Sequence, residues 1–230
     1  MIEGLRHILF PEVCVACRTL LDAGDHLLCA GCLAEFTPYS GAGAGGEALR
    51  RVIREHFGPD EVPSEAWCLY PYRRSGRLHD AMHAMKYEGI FPIGNLFGRK
   101  LGELIASSGG HGVFDGIVPV PLHSLKGIER TYNQAGQIAD GISGILGVPV
   151  LDGVIVRQRY TGSQTGLSST ARRKNVLGAF RPGRAKCPLR VLLVDDVVTT
   201  GATLTAAAAV LRDSGASMVA FAAIALTEKE

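Results

Sequence analysis

The chain has 230 residues, 47% of them hydrophobic and 20% charged, with a net charge of +2. That composition excludes a disordered or fibrous chain, and the near-neutral balance demands no bulk attraction to nucleic acid. The longest late apolar run, residues 218–226, is far below the ~20 residues of a membrane span, and Glu3 and Arg6 interrupt the start of the chain. No membrane insertion and a cytoplasmic location are therefore expected.

In chain order, residues 1–40 form a cysteine module. Cys14-Val-Ala-Cys17 and Cys29-Ala-Gly-Cys32 flank a polar turn around Asp22 to Asp25, with 11 residues between the pairs. Two CxxC pairs place four thiolates on two tight turns. This is a soft tetrahedral set for a structural Zn2+ that leaves no open position for catalysis. So small a unit has too little core to fold unaided, and the metal would supply folding energy. A redox pair or reduced free thiols is the competing reading, and His26 could stand in for one cysteine. Cys68 and Cys187 are isolated and read as structural.

Residues 41–65 read as a linker followed by a short basic helix. The run Gly41-Ala-Gly-Ala-Gly-Gly46 offers almost no side chain to pack, and residues 47–57 suit the helix. From residue 66 to 230 the pattern alternates. Residues 67–72 suit a strand. Residues 77–87 suit a helix, with Leu78, Met82 and Met85 on one face. A helix over 95–106, a buried strand over 116–121 and a helix over 134–146 follow, the last capped by a Thr131 to Gln134 box. Residues 148–156 suit a strand. An unbroken apolar strand at 191–194, a helix at 203–213 closed by Gly215, and a strand at 217–226 complete the chain. Such alternation predicts an α/β fold, a mostly parallel sheet flanked by helices.

The stretch Val191-Leu-Leu-Val-Asp-Asp-Val-Val-Thr-Thr-Gly-Ala-Thr203 carries the chemistry. An apolar strand, an acidic loop and a helix start describe a ligand site at the carboxyl edge of an open sheet. The first N–H groups of the helix are unpaired and its dipole is positive there, so a phosphate is favoured. Thr199, Thr200 and Thr203 add hydroxyls, and Gly201 permits close approach of the backbone. No lysine sits where a nucleoside triphosphatase loop needs one. Asp195 and Asp196 suit vicinal hydroxyls or Mg2+. Phosphate and diol together describe a ribose 5-phosphate; a surface strand end capped by aspartates is the bland alternative.

Residues 194–203 resemble the phosphoribosyl pyrophosphate (PRPP) motif of type I phosphoribosyltransferases. Further segments narrow the resemblance to the ComF family of competence-associated bacterial proteins. They are His83-Ala-Met-Lys-Tyr87, Val118-Pro-Val-Pro-Leu-His123, Arg130-Thr-Tyr-Asn-Gln134, Gln164-Thr-Gly-Leu167, Arg172-Arg-Lys-Asn175 and Gly178-Ala-Phe180. The resemblance implies that Asp195 and Asp196 are the catalytic pair, holding the ribose hydroxyls directly or through Mg2+. It implies that Val197, Val198, Thr199, Thr200, Gly201, Ala202 and Thr203 form the PRPP loop around the 5-phosphate. The loop after the 117–120 strand would lie near the pyrophosphate. Many family members carry further cysteine pairs, whereas residues 33–66 here contain none, so one metal ion is expected. The family's usual glycine is replaced by Thr131, which would be strained if that turn needs a positive φ.

Secondary sites complete the reading. His79 and His83 share a helix face with Lys86 or Tyr87, a polar face in which Lys86 would attract pyrophosphate; a solvated face or a histidine metal pair are the alternatives. Arg172, Arg173 and Lys174 are candidates for a cationic lid, a solvated turn or a nucleic-acid contact. Arg50, Arg51 and Arg54, with Arg73, Arg74 and Arg77, could extend such a contact. Two functions follow from the resemblance: phosphoribosyl transfer from PRPP to an unknown acceptor, or a DNA-uptake factor that binds single-stranded DNA and a helicase-like partner.

Overall fold

The computed structural model describes residues 12–22, 24–41, 43–122, 132–158 and 178–228. Its elements in chain order are α1 (Ala30–Glu35), α2 (Ala44–Phe57), β1 (Ala66–Tyr72), α3 (Arg77–Tyr87), α4 (Pro92–Ser107), β2 (Gly116–Pro119), α5 (Gln134–Leu146), β3 (Ile155–Arg157), β4 (Phe180–Pro182), β5 (Arg190–Val198), α6 (Ala202–Asp213) and β6 (Met218–Thr227). Four strands form one parallel sheet in the order β1-β6-β5-β2. β3 and β4 form a separate antiparallel pair.

Both faces of the sheet are covered, as its continuous apolar strands require. β5 shows the division. Leu192 and Val194 face the core built with α3, α4 and α5, where Met82, Met85, Phe97 and Ile138 are fully buried. Val191 and Leu193 face the core built with α2 and α6, where Leu49, Ile53, Leu204 and Leu211 are fully buried. The cysteine module joins the first core through Val15, Leu28 and Phe36. Phe36 packs edge-on against Tyr70 with ring centroids 5.9 Å apart.

Three local expectations change. The glycine run is no linker: Gly45 and Gly46 are buried inside α2. A Cβ on Gly46 would lie 1.9 Å from the Ala66 carbonyl oxygen, and one on Gly45 2.0 Å from that of Cys68. Glycine here lets a helix backbone touch the edge strand, a packing use that composition alone mistakes for flexibility. Residues 148–156 are not one strand. Val150 bridges Ile117 in parallel, then Gly153 at φ 73° reverses the chain into β3. The cap of α5 is Asn133, whose side chain accepts from the Ala135 N–H at 3.2 Å; Thr131 lies outside the described residues.

Candidate functional site

The sheet's carboxyl edge is uneven, and the site occupies the step. β2 pairs with β5 only as far as Pro119 opposite Val194, followed by the Val120 N–H donating to the Val194 carbonyl at 2.9 Å. The next acceptor in a parallel ladder would be the Val120 carbonyl. The Asn133 side-chain amide takes it instead, at 3.1 Å. β5 and β6 continue to Val198 opposite Leu226. Asp195 and Asp196 therefore lie within β5 rather than in a loop after it, and on the β2 side their strand has no ladder partner among the described residues. The freed backbone donors are satisfied locally. The Asp196 N–H donates to Asp195 Oδ1 at 2.9 Å, and the Val197 N–H to Asp196 Oδ1 at 2.5 Å.

Strand alternation sends the two carboxylates to opposite faces. Asp196 follows Val194 onto the α3 side, where Lys86 Nζ lies 2.9 Å from its Oδ2. Asp195 follows Leu193 onto the other side, where it shares an electrostatic interaction with Arg157 of β3. Arg157 also stands over the Phe180 ring, 5.4 Å from its centroid. Burial, and then the Asp196 carboxylate, push Asp195 up to about 7, against the pull of Lys86 and Arg157. Burial opposes the charge on Lys86, but Asp196 and then Asp195 hold the ammonium above its ordinary value. Burial lowers Arg157. Asp196 thus has a close cation from a helix, while Asp195 lies in the field of both Lys86 and Arg157.

Beyond the carboxylates the loop turns into α6. Gly201 is its N-cap at φ 81°, without a side-chain cap hydrogen bond, and the first helical bond is Thr205 N–H to the Gly201 carbonyl at 2.9 Å. The N–H groups of Ala202, Thr203 and Leu204 precede that bond and stay available. Thr199 is exposed and Thr203 partly so. Thr200 is only 6% exposed, and its Oγ1 makes no hydrogen bond. Gly201 has a second reason to be glycine, since a Cβ would fall 2.0 Å from Ile53 Cδ1 of α2. The Val198 side chain is buried in the core, so only its backbone can face a ligand.

The other predicted residues fall as follows. The four cysteine sulfurs of Cys14, Cys17, Cys29 and Cys32 lie within 4.8 Å of one another, and they are the metal-ligating set that converges among the described residues. Hydrogen bonds from the side chain and backbone of Thr19 pull the Cys17 thiol down to about 6, while burial raises Cys32. His26 lies in a short bridge with Leu28 outside this set. Cys68 is buried and pushed up to about 12, and burial also raises Cys187. His79 and His83 stack at 6.2 Å within a ladder that runs from Tyr72 to Tyr87. Much of the basic surface is interleaved with acids: Arg54 with Glu47, Arg73 with Glu228, and Arg77 with Glu35 and Asp80. Arg172, Arg173 and Lys174, with residues 164–167, lie outside the described residues. Sequence reasoning missed Arg157, which follows a short apolar run and carries no local signal of its task.

Residues 133–229 match the phosphoribosyl transferase domain family. Competence protein F of Haemophilus influenzae is 29% identical over 210 residues, covering 88% of this chain and 91% of that protein. The likeness to competence protein F thus runs along most of both chains, and the phosphoribosyl transferase match falls on the C-terminal part. The DNA utilization protein YhgH of Salmonella typhi is 37% identical over 105 residues, 46% of each chain. Among solved structures, the allosteric regulatory enzyme of purine biosynthesis aligns with 56% of this chain and 25% of its own, at 24% identity and a TM-score of 0.36. The family match includes β5, α6 and β6, which carry the two aspartates and the threonine loop. No described helix is long and apolar enough to cross a membrane.

Proposed function

We propose that this chain is a ComF-type protein that binds PRPP at the stepped end of β5 and positions it for phosphoribosyl transfer. One observation carries the reading: Thr200 has a buried hydroxyl with no partner beside an uncapped helix N-terminus. An unmade hydrogen bond at a buried group costs about 1–3 kcal/mol, and a 5-phosphate at the α6 N-terminus would satisfy it. The phosphate would be held by the N–H groups of Ala202, Thr203 and Leu204 and by the threonine hydroxyls, with the ribose diol over Asp195 and Asp196.

Mg2+ fits this donor set in part. Both Oδ1 atoms accept backbone hydrogen bonds and Asp196 Oδ2 is held by Lys86, which leaves Asp195 Oδ2 without a hydrogen bond among the described residues. One free carboxylate oxygen suits an ion that keeps most of its waters, and bound there it would offset pyrophosphate charge. Lys86 would keep Asp196 in place and meet the pyrophosphate side. The cysteine cluster would hold one structural Zn2+. Ligands at about 2.3 Å in a tetrahedron put sulfurs about 3.8 Å apart, and Cys17 and Cys29 already stand at 3.7 Å.

A second reading, a DNA-uptake factor that uses PRPP only as an effector, has its own observation. The ladder of Tyr72, His79, His83 and Tyr87 ends in a tyrosine that is 63% exposed. A row of partly exposed rings suits sequence-tolerant contact with single-stranded DNA, and a helicase-like partner would then work beside it. Calorimetric titration with PRPP and Mg2+, coupled to pyrophosphate release over a panel of nucleobases and amines, tests both. Binding that is lost in Asp195→Asn/Asp196→Asn is expected. Absence of binding to the wild type sinks the site, and binding without turnover on any acceptor favours the second reading.

A further inference from the structure

A cleft of about 700 Å3 opens beside the threonines, on the α2 side of the sheet over the ends of β6 and β1. Its size lies within the range of small-molecule sites. Thr199 and Thr200 form one wall, while Ala202, Thr203 and Leu204, which carry the free N–H groups, do not line it. The cleft is therefore a neighbour of the phosphate loop and shares only the two threonines with it. It also lies away from β2, the strand on the other edge of β5.

The lining is polar and specific. Arg51 of α2 and Arg74 beyond β1 both face the cleft, and neither makes an ion pair among the described residues. The lining acids have partners already: Glu228 stands 3.6 Å from Arg73, and Glu55 also has an interaction of its own. His56 bonds through Nδ1 to the Val52 carbonyl at 2.9 Å. A carbonyl can only accept, so Nδ1 donates, and in the neutral ring Nε2 is the acceptor. Tyr39 adds a phenol that burial pushes up to about 12, a hydroxyl donor throughout the neutral range. Two uncommitted guanidinium groups recognise an anion, and the imidazole lone pair suits an adjacent N–H or O–H.

We propose that this cleft is the pocket for the second ligand of the site, a small molecule bearing a carboxylate or phosphate next to a hydrogen-bond donor, clamped by Arg51 and Arg74 with His56 accepting from the donor. The proposal rests on the reading of Thr199 to Thr203 as a phosphoribosyl site, since it makes the cleft the acceptor side of that site, opposite β2. It narrows the unknown acceptor to an anionic class and sets aside neutral bases.

The test is calorimetry on the full chain with ribose 5-phosphate already saturating. Orotate against uracil isolates a carboxylate, and O-phosphoserine against serine isolates a phosphate. At least one anionic member should bind about tenfold more tightly than its neutral counterpart. The Arg51→Gln/Arg74→Gln variant, changed at two exposed positions, should lose that preference and keep the ribose 5-phosphate affinity within about twofold. His56→Ala should weaken the same ligand without altering ribose 5-phosphate. The proposal is overturned if neither anion is preferred, if the preference survives the double variant, or if the anion displaces ribose 5-phosphate. If ribose 5-phosphate alone does not bind, the phosphoribosyl reading falls, and anion binding that depends on Arg51 and Arg74 would then show a cleft without that site.

Discussion

At the scale of single residues, Asp195 has a consequence for stability. Its folded-state value is raised to about 7, above the ~3.9 of an unfolded aspartate. The folded chain keeps a proton that the unfolded chain gives up, so the contribution to stability is full below about pH 4 and is lost as pH rises through 7. Urea unfolding of the ligand-free protein should show wild-type stability falling by about 2 kcal/mol between pH 5 and 8 relative to Asp195→Asn. A flat difference across that range would refute the assignment. Lys86 makes the complementary case. Lys86→Met leaves the Asp196 carboxylate largely buried without its cation, and should cost about 1–3 kcal/mol at pH 8. The double change Lys86→Met/Asp196→Asn should recover most of that, because removing both partners leaves no unpaired charge. The adjacency of the two aspartates was legible in the sequence, as was the place of the threonines beside a helix start. What was not legible is that adjacency in a strand means separation in space, with Lys86 against Asp196 and Arg157 reaching only the field of Asp195. Lys86 lies more than a hundred positions from Asp196, and the Asp195–Arg157 partnership depends on a reversal at Gly153 that a propensity reading runs straight through.

At the scale of elements, α2 shows where composition misleads. Glycine clusters usually report freedom, and only the β1 carbonyls pressed against Gly45 and Gly46 reveal that these glycines report proximity. Gly46→Ala should cost about 2–3 kcal/mol in unfolding free energy, because both neighbours of the new methyl are backbone and neither can step aside. Gly144→Ala, on the exposed side of α5 with nothing within 4 Å of the added Cβ, should instead stabilise by about 0.5–1 kcal/mol. Equal costs at the two positions would contradict the packing argument. By contrast α3 matched its expected span over 77–87, since Leu78, Met82 and Met85 repeat at helical spacing against a core that wants them. β5 was cut short in the sequence reading at Val194, because hydrophobicity stops there while hydrogen bonding to β6 does not.

At the scale of the whole molecule, the cysteine module and the ligand site share one helix. Arg18, just past the first knuckle, pairs with Glu88 through two contacts of 2.5 and 2.7 Å, and Glu88 follows the α3 residue that carries the last turn above Lys86. The pair is exposed, so its own worth is small. The packing of Val15, Leu28 and Phe36 into the α3 core is the larger tie. Elemental analysis should find about one zinc per chain. Chelation should lower the melting temperature and raise protease sensitivity in the first 40 residues, with β5 and β6 retaining slow amide exchange. A chelated protein with unchanged melting temperature would argue against a structural metal. The CxxC spacing announced this module plainly; its docking onto the sheet was silent, because Phe36 and Tyr70 meet across a stretch of chain that read as a separate linker.

The unequal reach of the strands has one more implication. The depth of the candidate site is set by a strand that contributes none of its acidic residues. β2 halts because an asparagine amide intercepts one carbonyl, and the carboxylates gain their opening from that interruption. A chain in which Asn133 became leucine would release the Val120 oxygen to the Asp196 amide and extend the ladder across the gap. The pocket would then be narrowed by main chain while every residue that touches its ligand stayed in place. The boundary of this candidate site is drawn by a hydrogen bond declined, at a single position outside the run of aspartates and threonines.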